Sequence, residues 1–234
     1  IFLLYSINST KDRMDLMEFH ISIFFIIEVI GTVAFASSGA MVAIKQQLDL
    51  LGVVVLGVTT AVGGGMLRDI ILGNVPPGLF MNPVYVMAAF ITVLALLIVG
   101  RLNQRILESR YIASYEKMMN IFDAIGLAAF TVTGIDTAVL AGYGDYHFLS
   151  VFLGVLTGVG GGVLRDIMAG QTPYILRKHV YASASIAGAL CYVFLADWMT
   201  GDASMIISAL LVILIRMLAT RYCWNLPTAT KKQP

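Results

Sequence analysis

Gly57–Leu79 reads GVTTAVGGGMLRDIILGNVPPGL, and ninety-seven residues on Gly154–Leu176 reads GVLTGVGGGVLRDIMAGQTPYIL. Fourteen of the twenty-three positions are identical, among them GGGxLRDI, a following glycine and a proline three residues beyond it. A second match lies upstream at an offset of ninety-five. There Glu28, Gly31, Phe35, Gly39 and Ala43 stand opposite Asp123, Gly126, Phe130, Gly134 and Ala138. The two-residue difference falls in the loop between each repeat's first two helices. The chain is an internal duplication.

The solvent of that duplication follows from composition. Of 234 residues 59% are hydrophobic and 12% charged, about half the roughly 25% charge of soluble domains, and mean hydropathy is +0.86. A helix crossing a bilayer needs about 20 mainly apolar residues. That window predicts seven spans: Phe19–Ile44, Leu50–Leu72, Pro83–Gly100, Met118–Ala141, Phe148–Ala169, Val180–Ala196 and Ala203–Ala219. Runs of this length, without alternating ten-residue strands, read as helices. Net charge is +1, which leaves no basic field for nucleic acid. Cys191 and Cys223 have no metal-ligand spacing and are too few for a disulfide framework. Ile1–Tyr5 is too short to span and has the flanks of no signal peptide, so Met14 or Met17 is the expected start.

Three spans per repeat is an odd number, so the second copy enters the membrane from the opposite side and the repeats are inverted. The expected organisation is an extension over 1–18, a first three-helix repeat over 19–100, and a linker over 101–117. An inverted repeat over 118–196, a seventh helix over 203–219 without a repeat partner, and a tail over 220–234 follow. Lys45, Arg101, Arg105, Arg110, Lys117, Arg177, Lys178, Arg221, Lys231 and Lys232 fall on one side, with Arg216 near it, against Lys11 and Arg13 on the other. By the positive-inside rule the C-terminus is cytoplasmic and the N-terminus outside. Inverted repeats of this kind are the pattern of transport proteins, whose working site lies near the bilayer midplane.

Gly63–Gly65 and Gly160–Gly162 fall near the middle of the second and fifth spans. Glycine costs a helix roughly 1 kcal/mol relative to alanine, so each triplet is expected to kink or open its helix. Freed carbonyls over Thr59–Val62 and Leu156–Val159 would then meet a cation, and freed amides an anion. Small residues in membranes equally serve close helix packing. Thr60 and Thr157, one turn earlier, either offer hydroxyls to an ion or bond back to their own helix. Intramembrane charges need partners. By depth Glu28 matches Arg68 and Asp123 matches Arg165, giving two symmetric pairs with Asp69 and Asp166 beside them, structural or set at pore mouths. Asp136, opposite Met41 of the first repeat, is expected in the outer vestibule. Phe35 and Phe130 read as packing.

Other signals are set aside. The GVGGG strings lack the Lys-Ser/Thr of a phosphate loop. Gly142–Asp145 resembles the Gly-x-Gly-Asp of intramembrane aspartyl proteases but falls in an interfacial loop, and no nucleophile–base pair or metal cluster emerges in the spans, so no enzyme and no cofactor is expected. His20, His147 and His179 are interfacial singles, and Trp198, Tyr222 and Trp224 sit where aromatic belts belong.

With its paired GGGxLRDI motifs, from about Glu18 to Ala219, the chain resembles the prokaryotic trimeric intracellular cation (TRIC) channels. It also resembles the bacterial small membrane proteins with the same doubled motif, some described as glycine transporters. The resemblance implies a homotrimer in a bacterial or archaeal cytoplasmic membrane. It implies one pore per protomer past the second and fifth helices, conducting potassium and some sodium. Where animal members carry a lysine-glutamate-valine motif, this chain has Arg68–Asp69 and Arg165–Asp166 nearby. The alternative is a secondary transporter of a small zwitterion such as glycine, its carboxylate held by half-helix amides and its ammonium by carbonyls.

Overall fold

The computed structural model describes residues 10–102, 112–177, 180–222 and 224. The start at Met14 or Met17 concerns a segment that is partly outside them. Arg105, Arg110, Lys178, His179, Cys223, Lys231 and Lys232 lie outside the described residues.

The described residues hold helices and no strand. Seven helices are long: α1 (Thr10–Lys45), α2 (Leu50–Leu72), α4 (Val84–Leu102), α5 (Ile112–Ala138), α6 (His147–Met168), α8 (Val180–Ala196) and α9 (Gly201–Arg221). Two are single turns that the hydropathy window does not see, α3 (Gly78–Met81) and α7 (Tyr174–Arg177). A π-helical turn, Val139–Tyr143, ends α5. Of the expected 101–117 linker, the described residues place 101–102 at the end of α4 and 112–117 at the start of α5. Helix also covers 10–18 of the expected extension.

Five of the long helices are apolar and long enough to cross a membrane: Ile23–Lys45, Leu50–Leu72, Ser114–Tyr143, His147–Met168 and Gly201–Arg221. Val84–Gly100 and Val180–Ala196 are apolar but shorter. They are the third helix of each repeat, and each follows one of the single-turn helices. At 1.5 Å per residue the shorter of them reaches about 26 Å, close to a hydrocarbon core of about 30 Å. Polarity is arranged for lipid. Ile30, Ile71, Ile91, Ile98, Phe194, Leu210 and Leu214 face outward, while Thr32, Ser38, Asp123, Arg165, Asp166 and Ser185 are buried.

Helices α1, α2, α5 and α6 pack as a central four, with α4 against α1 and α2, α8 against α5 and α6, and α9 against α8 and α5. The duplication is visible in the contacts. Phe35 lies on Gly126 and Phe130 on Gly31, with the two rings 5.3 Å apart between centroids. A Cβ on Gly39 would meet Gly57 Cα at 2.9 Å, and one on Gly134 would meet Gly154 Cα at 2.9 Å, so α1 crosses α2 as α5 crosses α6.

The glycine triplets correct an expectation. Helices α2 and α6 run unbroken through them. Close approach accounts for the glycines: a Cβ on Gly64 would collide with the carbonyl oxygen of Thr157, and one on Gly161 with that of Thr60. These two contacts are related by the repeat offset, so α2 and α6 cross on the duplication's own axis. A helix that loses a Cβ where a neighbouring backbone must touch it keeps its hydrogen bonds, and packing energy offsets the poor propensity.

This geometry separates the glycines of one triplet. Gly64→Ala forces main chain against main chain and is expected to destabilise the fold by about 1–3 kcal/mol. Gly65→Ala, whose added Cβ would find only Arg68 Nη2 at 3.7 Å, is expected to melt like the wild type. Thermal unfolding of the two purified variants checks this, and equal losses would return the triplet to a role in flexibility.

Candidate functional site

Each RDI motif ends its helix in the same way. Gly73 and Gly170 take left-handed φ of 76° and 66°, as helix-ending glycines do. The amides of Asn74 and Gln171 donate back to the carbonyls of Asp69 and Asp166 at 2.9 and 2.8 Å. The aspartates then divide their oxygens. Oδ1 accepts from the neighbouring arginine, Arg68 Nε at 2.9 Å and Arg165 Nε at 2.8 Å. Oδ2 accepts the amide that starts the following single-turn helix, Gly78 at 2.8 Å and Tyr174 at 2.7 Å. Tyr174 aligns with Pro77, which has no N–H, so in the first repeat the bond moves on by one residue.

The arginines reach across to the first helix of their own repeat. Arg68 Nη1 is 3.5 Å from Glu28, and Arg165 Nη1 is 2.6 Å from Asp123 Oδ1. Arg165 Nη1 also donates to Ser38 of the other repeat at 2.5 Å, and its guanidinium lies 5.4 Å from the centroid of the Tyr174 ring. Burial raises the pKa of the Tyr174 hydroxyl above its ordinary value, so the ring stays neutral there. Asp123 and Arg165 are wholly buried. Arg216, from α9, approaches Asp123 Oδ2 at 3.6 Å.

The clusters lie at opposite ends of the molecule. That of Asp123 lies towards the end where Lys45 pairs with Glu116 at 2.6 Å, the Lys45 end. That of Glu28 lies at the other end and borders a cavity of about 410 Å³. Glu28, Arg68, Asp69, Asn74, Asn82 and Tyr85 supply its polar wall, and it extends to Thr32, Ala61, Val62, Gly65 and Phe130 beside the glycine crossing. Two carboxylates and one guanidinium share this wall, a formal charge of −1 with both carboxylates ionised. Among the described residues no group of three or more His, Cys, Asp or Glu is arranged to hold a metal ion.

The other expected residues fall as follows. Thr60 and Thr157 bond back to the carbonyls of Leu56 and Leu153, both at 2.6 Å. A β-hydroxyl one turn from a carbonyl takes the partner that is always within reach. Gly63 packs on Leu164, Gly160 on Leu67, and Gly162 under the Tyr181 hydroxyl. Asp136 does not line the cavity; it is buried and accepts from Tyr192 on α8 at 2.7 Å. A carboxylate inside a bundle takes the nearest hydroxyl in place of a vestibule. Asp145 is exposed in the turn after α5. Sequence reasoning passed over Tyr85 and Tyr181, although Val-Tyr opens the third helix of both repeats. It also left Arg216 without a partner, since nothing in the duplication pairs with α9.

Comparison with known proteins returns the same duplication. One family model, described as Glycine transporter, matches twice, over residues 25–101 and 120–197. The inner membrane protein YadS of Escherichia coli (strain K12), of the UPF0126 group, is 34% identical over 204 residues, covering 86% of this chain and 94% of that one. A solved TRIC cation channel, described for its conductance, is 35% identical with a TM-score of 0.76, covering 90% of this chain and 99% of the other. The TRIC trimeric intracellular cation channel orthologue from Rhodobacter sphaeroides is 30% identical with a TM-score of 0.76, covering 87% and 100%. With both halves matched and the spans in place, the chain belongs to the Glycine transporter family and is an integral membrane protein with the TRIC channel fold.

Proposed function

We propose that the protein is a channel for monovalent cations, potassium above all and sodium as well. The cavity wall carries this reading: Glu28 and Asp69 outweigh Arg68, so the wall attracts cations and repels anions. The likeness at 30–35% identity to solved TRIC cation channels supports it. The path enters at the cavity, passes Phe130 and Phe35 beside the α2–α6 crossing, and leaves past Asp123, Arg165 and Asp166. Main-chain oxygens have no part in it, since α2 and α6 keep their helical hydrogen bonding. The aromatic pair is the dry constriction, and water and ions pass when it parts. All seven long helices cross the membrane, with the N-terminus outside and the C-terminus cytoplasmic. Three copies assemble as a trimer, as in the Rhodobacter sphaeroides orthologue, each with its own pore.

The second reading is a carrier for a small zwitterion. Two observations favour it: the family description, Glycine transporter, and the buried Nη1 of Arg68, which among the described residues donates no hydrogen bond, borders the cavity and suits a carboxylate. Saturable glycine uptake into liposomes without current would replace the channel reading.

Planar-bilayer recording tests the first reading. Discrete currents are expected, with reversal potentials that follow the potassium gradient, and their absence at every voltage would overturn it. Glu28→Gln neutralises the wall and is expected to lower potassium conductance and cation-over-anion preference several-fold. Phe130→Ala widens the constriction and is expected to raise open probability or unitary current, measured in the same recordings.

A further inference from the structure

The two ends of the molecule are built from equivalent residues but filled differently. Glu28, Arg68 and Tyr85 line the open cavity, and Tyr85 and Tyr181 are each the second residue of their repeat's third helix. The equivalents at the Lys45 end are therefore Asp123, Arg165 and Tyr181. Here a side chain from outside the duplication lies among them. Arg216 of α9 sets its guanidinium carbon 4.7 Å from the centroid of the Tyr181 ring and its Nη2 3.6 Å from Asp123 Oδ2. All three residues are at least nine-tenths buried: Asp123 is 0%, Tyr181 1% and Arg216 3% exposed.

The Arg216–Asp123 pair is long and not hydrogen-bonded. Asp123 already has its partner, since Oδ1 is bonded to Arg165 Nη1 at 2.6 Å. Among the described residues its Oδ2 makes no hydrogen bond, and neither do Nε and Nη2 of Arg216 or the hydroxyl of Tyr181. Arginine–carboxylate pairs are frequently bidentate, with bonds of about 2.8 Å, whereas Arg216 brings one nitrogen to 3.6 Å. Beside the Arg165 pair, what remains is a carboxylate oxygen and an aromatic face around the Arg216 guanidinium, a combination that holds alkali and organic cations where water is excluded.

We propose that Asp123 Oδ2 and the ring and hydroxyl of Tyr181 form a binding site for a monovalent cation at the Lys45 end, and that the guanidinium of Arg216 occupies it as a tethered ligand. The proposal rests on the cation reading above, and it gives that reading a closed state. An ion passing the glycine crossing meets a site already filled by a cation of its own charge. Opening requires α9 to withdraw Arg216, which leaves the contacts within the repeats intact.

The decisive measurement is binding, independent of flux. Purified Arg216→Ala is melted in low-millimolar guanidinium chloride and in choline chloride of equal ionic strength. A ligand that binds only the folded state raises the melting temperature. Guanidinium is expected to raise it by several degrees over choline for R216A, and for neither the wild type nor R216A combined with Asp123→Asn. Equal melting of R216A in the two salts would overturn the site. Should R216A fail to fold, Arg216→Gln, which keeps a polar side chain but no charge, takes the same test with the same two outcomes. In liposomes R216A is expected to pass potassium several-fold faster than the wild type and to be returned to the wild-type rate by guanidinium. Guanidinium binding with no potassium flux in any variant would support the site and sink the channel reading. Flux with no guanidinium binding would do the reverse.

Discussion

The approach of α2 to α6 is set by two main-chain carbonyls, those of Thr60 and Thr157, each lying where a Cβ of Gly161 or Gly64 would be. With any side chain at either position the helices would separate by the thickness of a methyl group. The consequences run outward from there. The crossing fixes the axis about which the repeats are related, stacks Phe35 and Phe130 beside it, and sends the two RDI motifs to opposite ends. In lipid no hydrophobic force drives helices together, so close backbone contact and the buried ion pairs must do it. The thirteen residues between Gly57 and Asp69 that recur at Gly154–Asp166 are thus one device used twice: small residues for the crossing, then a charged pair for the end of the helix.

Much of this was legible because duplication repeats its errors and its meanings alike. Five of the expected spans return as helices long and apolar enough to cross a membrane, and the matched depths of Glu28 with Arg68 and Asp123 with Arg165 are contacts the structure brings together. The breaking of α2 and α6 was misread, since three glycines look the same in sequence whether they loosen a helix or admit a neighbour. Only the position of the neighbouring carbonyl decides, and that is a tertiary fact. The single-turn helices α3 and α7 escaped because four residues carry no hydropathy signal. Their trace lies instead in the conserved spacing from the aspartate through Gly73 or Gly170 to Pro76 or Pro173, within the repeat itself. Asp136 misled for a related reason: a carboxylate without a repeat partner suggests a special place, and Tyr192 supplies an ordinary one.

Arginine followed at once by aspartate is an odd choice for the end of a membrane helix, since buried charges are costly and a lone pair barely repays its desolvation. The motif meets that cost by giving each atom a separate duty. Arg Nε is spent on the next residue and Nη1 on the first helix of the repeat, while the aspartate's second oxygen holds the start of the following turn. One motif therefore ties the first two long helices of its repeat to the single turn that leads into the third. That economy also explains why the same residues can border a cavity at one end and be sealed at the other. Apart from the bond of Arg165 to Ser38 the ties run within a repeat, so the exposure of each cluster depends on what lies above it. Over Glu28 there is open space, and over Asp123 there is α9. Two equal halves cannot by symmetry alone have one end open and one closed, and the unpaired helix, with Arg216 facing inward, is the element that makes them differ.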